Sequence, residues 1–145
     1  MGVIEHSVWI KAAPEAVWHV YTDPRRIPEW ETGSPVIEDL GGDGASAGSA
    51  YTSRRRALVA RTSVIESEPP RRLVTHTDAS LGLRFDVTSE LSTDGDGTRL
   101  RLRVVTSWPR GLGVLGRVVE HALLGGREAA KELGNLRALI EAPSP

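Results

Sequence analysis

The sequence predicts an α+β domain in which a curved antiparallel sheet of about seven strands wraps round a long C-terminal helix, with two short helices after the first strand. Three observations carry that prediction. The chain opens on an alternating stretch from Val3 to Lys11, and five further stretches of strand character, all but the first two separated by turn signals, run from Tyr51 to Trp108. Apolar residues then recur every three or four positions from Leu112 to Ile140, the period of an amphipathic helix.

A chain of 145 residues is long enough to bury its own core, and a single domain is expected over residues 1–141 with a frayed tail over 142–145. Eighteen basic residues against nineteen acidic ones leave no excess charge that would draw the protein to nucleic acid or an anionic membrane. Partners must therefore be recognised by a local site. With no cysteine, thiolate metal sites, disulfides and a cysteine nucleophile are excluded. The N-terminus carries no basic segment leading into a long apolar run, and no stretch approaches the roughly 18 apolar residues that span a bilayer. The expected protein is cytoplasmic, without integral membrane association, and a monomer or homodimer.

In the first strand Ile4, His6, Val8 and Ile10 share one face and Glu5, Ser7 and Lys11 the other, with Trp9 the exception on the polar side. Pro14 suits a first helical turn, and Ala16, Val17, Val20 and Tyr21 continue at helical spacing until Asp23-Pro24 stops the run. A second short helix is expected from Arg25 to Trp30, and a second strand from Val36 to Leu40. Gly41 to Gly48 reads GGDGASAG, a mobile loop. Strands follow at Tyr51 to Arg56, Leu58 to Glu66, Leu73 to Ala79, Leu83 to Leu91 and Thr98 to Trp108. Only the junction from Arg54 to Leu58 lacks a turn signal. Gly125 and Gly126 interrupt the final helix, predicting a kink or a close approach.

Hairpin partners lie on the same side of a sheet, so facing can be checked by parity. Pairing Glu90 with Arg101 sets Leu91 against Leu100, Val87 against Val104 and Phe85 against Thr106. The same rule puts Val64 opposite Leu73, Thr62 opposite Thr75 and Ala60 opposite Thr77. The inner face is thus graded, with Leu73, Phe85, Val87 and Val104 dry and Tyr51, Thr62, Thr75 and His6 polar.

Several landmarks lie along this order of elements: Val8-Trp9-Ile10-Lys11-Ala12-Ala13-Pro14-Glu15-Ala16-Val17-Trp18, then Thr22-Asp23-Pro24 to Pro28-Glu29-Trp30, and the Gly48 to Tyr51 strand start. The Glu66 to Leu73 corner, Gly97-Thr98-Arg99 and Leu133-Gly134-Asn135-Leu136-Arg137 complete the set. Together they resemble the START-like, helix-grip superfamily of polyketide cyclases/dehydrases and lipid-transport proteins, the SRPBCC family. The resemblance spans nearly the whole chain and implies a cavity between sheet and long helix.

Other motifs carry less. Gly44-Ala45-Ser46-Ala47-Gly48 matches G-x-S-x-G, but a nucleophile elbow needs a strand before it and a helix after it, and here a strand follows. Gly111-Leu112-Gly113-Val114-Leu115-Gly116 matches G-x-G-x-x-G, yet the chain holds no second parallel strand to complete a dinucleotide site. His6, His19, His76 and His121 lack metal-ligand spacing, so neither a metal nor a cofactor is expected.

Arg54, Arg55 and Arg56 read mainly as a solvated face, but parity turns Arg55 inward with Tyr51 and Ser53. An enclosed guanidinium needs a partner, and a carboxylate, enolate or phenolate of a ligand would supply one. The expected ligand-binding residues are Trp30, Tyr51, Ser53, Thr62, Thr75, Thr77, Phe85, Val87, Val104, Trp108, Leu115 and Val119. Flat aromatic walls with a few hydroxyls are what small-molecule pockets use.

The leading expectation is a protein that holds a hydrophobic or aromatic small molecule, lipid or polyketide-like, between the sheet and the C-terminal helix. The glycine-rich loop would serve as its lid. The resemblance also admits an aromatase/cyclase-dehydratase acting on a polyketide-like substrate, for which His6, Tyr51 and Arg55 are the assembled catalytic set. No pair of inward carboxylates is evident. A third alternative is an interaction module whose cavity is vestigial and whose interior is filled.

Overall fold

The computed structural model describes residues 2–115, 117, 118 and 126–142. Strands β1 (Gly2–Ile10), β2 (Val36–Gly41), β3 (Ala50–Arg55), β4 (Leu58–Glu68), β5 (Arg72–Ala79), β6 (Arg84–Asp94) and β7 (Gly97–Ser107) form one antiparallel sheet in the order β1-β7-β6-β5-β4-β3-β2. Helices α1 (Pro14–Tyr21) and α2 (Ile27–Trp30) follow β1, and α3 (Gly126–Glu141) lies near the end of the chain. The architecture is the predicted one. Of the helix expected from Leu112 to Ile140, residues 113–115, 117, 118 and 126–141 are helical. Val119, His121 and Gly125 lie outside the described residues.

The β6–β7 register is the predicted one, with Phe85 opposite Thr106, Val87 opposite Val104, Glu90 opposite Arg101 and Leu91 opposite Leu100. The β4–β5 register is displaced by two residues. Thr62 faces Thr77, Val64 faces Thr75 and Ala60 faces Ala79. The cause is a three-residue turn, Pro69 to Arg71, between Glu68 and Arg72, followed by a bulge between Val64 and Glu66. The turn pairs Ser67 with Leu73, and the bulge, with Ile65 exposed, returns the even-numbered residues of β4 to the interior. A shift of two preserves facing, so the inward set is as predicted. The unsignalled junction after β3 is a two-residue turn between Arg55 and Leu58, with Arg56 in the left-handed region at φ 57°.

Rows of side chains now run across the inner face. One reads Tyr51, Thr62, Thr77, Phe85, Thr106; the next Val64, Thr75, Val87, Val104, Ile4; a third Leu73, Ser89, Leu102, His6. Against one end of these rows, Ile10, Leu91 and Leu100 join Val17 and Trp18 of α1, Ile27 and Trp30 of α2, and Leu133 and Leu136 of α3 in the main core. Burying such side chains is worth about 1.5–3 kcal/mol each, so this cluster dominates the fold. A polar clasp fixes the end of α3. Glu141 accepts from the Lys11 backbone N–H at 2.9 Å and from Arg137, whose guanidinium sits 5.7 Å from the Trp9 ring centre. Trp9, anomalous by parity, donates its indole N–H to the Asp94 carbonyl.

Two predictions follow from these contacts. At Gly97 an added Cβ would overlap the Ile10 carbonyl and lie 2.6 Å from the Trp9 ring. Gly97→Ala should therefore cost about 2 kcal/mol or more by urea denaturation, whereas Gly113→Ala meets nothing within 4 Å among the described residues and should cost about the strain of its positive-φ backbone. On the outer face, His76 lies 2.7 Å from Asp86 and 3.2 Å from Asp78. The bond to Asp86 chiefly raises its pKa, against a smaller effect of burial. This stabilisation is complete below the unfolded pKa and is lost as pH rises through the folded one. Its side chain is one-third exposed, so the loss should be under about 1 kcal/mol. Unfolding free energies at pH 5.5 and 9 should diverge by that amount between the wild type and Asp86→Asn; equal pH slopes would exclude the contribution.

Candidate functional site

Between the central strands and the α1–α2 segment lies a cavity of about 260 Å³. The inward rows of β3 to β6 form its floor, through Tyr51, Ser53, Arg55, Leu58, Ala60, Thr62, Leu73, Thr75, Thr77, Ala79, Phe85 and Val87. Tyr21, Thr22, Pro24, Ile27, Trp30 and Glu31 line its other side, leaving it partly open, and Gly44 reaches it from the glycine-rich loop. That loop is tied down. Asp43 accepts bonds from the backbone N–H groups of Ala45 and Ser46 and from the hydroxyls of Ser46 and Ser49. These bonds hold its carboxyl far below the usual carboxylate range. Gly44, at φ 84°, packs so tightly on Pro24 that a Cβ there would overlap the proline ring.

Most of the walls are apolar or hydroxyl-bearing. The Tyr21 and Trp30 rings lie 5.8 Å apart at 33°, and Thr62 and Thr77 hydroxyls bond each other at 2.8 Å. Tyr21 shares a 2.7 Å bond with Ser89, and burial pushes its phenol up to about 12. Burial likewise raises Tyr51, and the nearby charge of Glu31 adds to the shift. Both phenols are neutral donors at ordinary pH. The Trp30 indole N–H is buried with no hydrogen-bond partner among the described residues.

At the end beside α2 and α3 sits a cluster of charge. The Arg55 guanidinium donates to the Thr32 carbonyl at 3.1 Å and lies 3.5 Å from Glu132 and 3.9 Å from Glu31. Gly33 makes this seat possible: at φ 81° it has no Cβ where the Arg55 stem passes, which would be 2.6 Å from Cδ. Thr32 in turn donates its hydroxyl to Glu128. Burial, together with the charge of Glu132, raises Glu31 to about 7, although Arg55 opposes the shift. Glu132 is also raised, first by burial. Two carboxylates and one guanidinium thus share a half-buried corner, giving it a reserve of negative charge and an acid that titrates near neutrality.

Of the residues expected from sequence, Trp30, Tyr51, Ser53, Arg55, Thr62, Thr75, Thr77, Phe85 and Val87 come together around this cavity. Val104 lies in the row beside Val87, buried but outside the lining, and Trp108 is half-buried beyond β7. Leu115 is exposed rather than lining the cavity, and Val119 falls outside the described residues. His6 does not join Tyr51 and Arg55: β1 is separated from β3 by four strands, and the His6 Nε2 is buried in the row of Leu102 and Ser89 without a partner among the described residues. The inward carboxylate pair that the sequence does not make evident is Glu31 and Glu132. Glu31 directly follows the buried Trp30, the one local sign of its position, and Glu132 adjoins the core residue Leu133.

Replacing Gly33 by Ala should dislodge Arg55 from this corner, with a further cost from the left-handed backbone, and the Glu31 carboxyl titration followed by NMR should then move upward. An unmoved Glu31 would show that Arg55 does not hold its charge.

Among solved structures, a Rhodobacter sphaeroides protein is 21% identical, with a TM-score of 0.75 over 98% of this chain and 93% of its own. DynU16, a protein in the dynemicin biosynthetic locus, is 23% identical with a TM-score of 0.70, over 99% of this chain and 48% of its own. The Aha1 dimer from Colwellia psychrerythraea is more distant, 17% identical with a TM-score of 0.58 over 87% of this chain and 99% of its own. At these identities the likeness establishes the fold. No match was found among curated proteins. No helix among the described residues is long and apolar enough to cross a membrane. The model of the family described as polyketide cyclase / dehydrase and lipid transport matches residues 1–141, and the chain belongs to that family.

Proposed function

We propose that this protein binds a compact hydrophobic or aromatic small molecule in the cavity beneath α1 and α2. The observation that carries this reading is the cavity itself, about 260 Å³ with apolar and aromatic walls and a polar corner at one end. Its volume lies just under the range of about 300–1,000 Å³ usual for ligand pockets, which favours a molecule of one or two rings over a long acyl chain. Similarity to a protein of the dynemicin biosynthetic locus supports the polyketide-like side of the reading. Open space in the interior disfavours an interaction module with a filled core. In this arrangement Trp30, Tyr21 and Phe85 supply contact area, while the threonine pair and the tyrosine hydroxyls orient the ligand. Gly44 brings the glycine-rich loop to the cavity, where its Asp43 bonds and its packing on Pro24 suit a fixed wall better than the expected lid.

Ala60 lies on the cavity floor, opposite Ser53 and Ala79. Ala60→Phe should fill the space, leave the far-UV circular dichroism unchanged, and weaken binding of 2-naphthalenemethanol at least tenfold. Native mass spectrometry of gently purified protein should show a retained compound in the wild type and not in the variant. Equal binding by the two proteins would place the ligand elsewhere.

A second reading, proton-transfer catalysis, is favoured by Glu31, whose carboxyl titrates near 7 inside the cavity. As a carboxylate, Glu31 would remove a proton next to a ligand carbonyl, with a neutral tyrosine donating to the oxygen. Hydrogen–deuterium exchange at the α-carbon of 1-tetralone should then be accelerated, rise with pH through about 7, and fall at least 100-fold in Glu31→Gln. Exchange no faster than in buffer would exclude this reading for enolisable ketones.

A further inference from the structure

The polar corner bears on what kind of ligand the cavity takes, an inference that rests on the binding reading above. An arginine inside a pocket would ordinarily mark an anion site. Here the arginine is already engaged. Arg55 donates to the Thr32 carbonyl and stands within 4 Å of both Glu31 and Glu132, so an incoming carboxylate would have to displace a resident one. With two carboxylates to one guanidinium, the corner carries a net negative charge when ionised. Glu31 is the member that lines the cavity, and it is the more loosely held, at 3.9 Å from Arg55 against 3.5 Å for Glu132. The aromatic side chains of Trp30, Tyr21 and Tyr51 line the cavity with it, and its charge reaches both phenols. Aromatic faces round a carboxylate attract cations through both the ring quadrupole and the formal charge.

We propose that the cavity selects a compact apolar or aromatic ligand carrying one positive charge, such as a protonated amine, with Glu31 as its counter-ion and the Trp30, Tyr21 and Tyr51 rings as its walls. A ligand cation supplies Glu31 with the full counter-charge that Arg55 divides between two carboxylates. A ligand anion in the same place meets two like charges, and a neutral ligand gains neither effect. The elements around Glu31 contribute Arg55 and Tyr51 from β3, Tyr21 from α1, and Glu132 with Glu128 behind it from α3. Because Glu31 titrates near 7, the preference for a cation has a pH dependence of known sign: present above that pH, and lost as the carboxyl takes up its proton below it. His76, whose pKa the bond to Asp86 raises, lies on the outer face of the sheet, away from the cavity.

Three probes of one shape separate the possibilities: 2-naphthylmethylamine, 2-naphthalenemethanol and 2-naphthoate, each titrated by calorimetry at pH 8.0. The amine should bind at least tenfold more tightly than the alcohol, and the acid at least tenfold more weakly. At pH 5.5, where the amine keeps its charge, its advantage over the alcohol should shrink to less than threefold. Glu31→Gln should bring about the same loss at pH 8.0 while still binding the alcohol, and the pH comparison on the wild type stands alone if that variant folds poorly. Binding of the alcohol with no advantage for the amine, or an advantage that persists at pH 5.5, overturns the cation proposal and leaves the binding reading intact. Failure of all three to bind overturns both.

Discussion

Everything in this molecule depends on keeping one face of a seven-stranded sheet turned inward along its whole width. Side chains alternate with a period of two, so a single uncompensated residue at any hairpin would turn the rest of a strand inside out. The chain comes closest to that failure at the corner between β4 and β5, where the turn has three residues. The bulge at Ile65 absorbs the difference. Without it, Thr62, Ala60 and Leu58 would point to solvent while Thr77 and Ala79 faced the interior, and the cavity would have half a floor. The bulge is therefore as much a part of the site as the residues that line it.

The sheet supplies a surface, and the short helices after β1 turn that surface into an enclosure. Val17, Trp18, Ile27 and Trp30 are buried against one end of the rows together with Leu133 and Leu136 of α3. At the other end the rows run on past this packed region, and the space between is the cavity. One set of elements thus forms both the dense core and the void beside it. Trp30 belongs to both, packed in the core on one side and lining the cavity on the other. Changes to the α1–α2 segment should accordingly couple stability to ligand affinity more strongly than changes on the floor.

The charged corner illustrates how a buried ionic cluster can be tolerated without being neutral. Arg55 satisfies a backbone carbonyl and shares its charge between two carboxylates, while Gly33 leaves room for its stem. Burial alone would neutralise both acids, and the guanidinium alone would keep one ionised. The compromise is a carboxyl poised near neutral pH, a property suited to cation binding and to proton transfer alike. Which of these the protein uses depends on what fills the space between Glu31 and the aromatic walls.

Strand periodicity and turn chemistry made the sheet legible from sequence, because alternation and hairpin parity are local rules that chain neighbours obey. Tyr51, Ser53, Arg55, Thr62, Thr75, Thr77, Phe85 and Val87 could be assigned to one inner face for that reason. The sequence could not locate the bulge at Ile65, since a bulge changes no local preference, and the net two-residue shift left by the turn and the bulge together preserved facing. It placed His6 on the inner face but could not show that four strands separate β1 from β3, because strand order is decided by which edges meet. Glu31 and Glu132 were out of its reach for a related reason. One lies in the turn after α2 and the other on α3, a hundred residues apart, and each reads locally as a surface acid. Only the packing of α3 beside that turn brings both within 4 Å of Arg55, and only there does burial give their charges a chemical meaning.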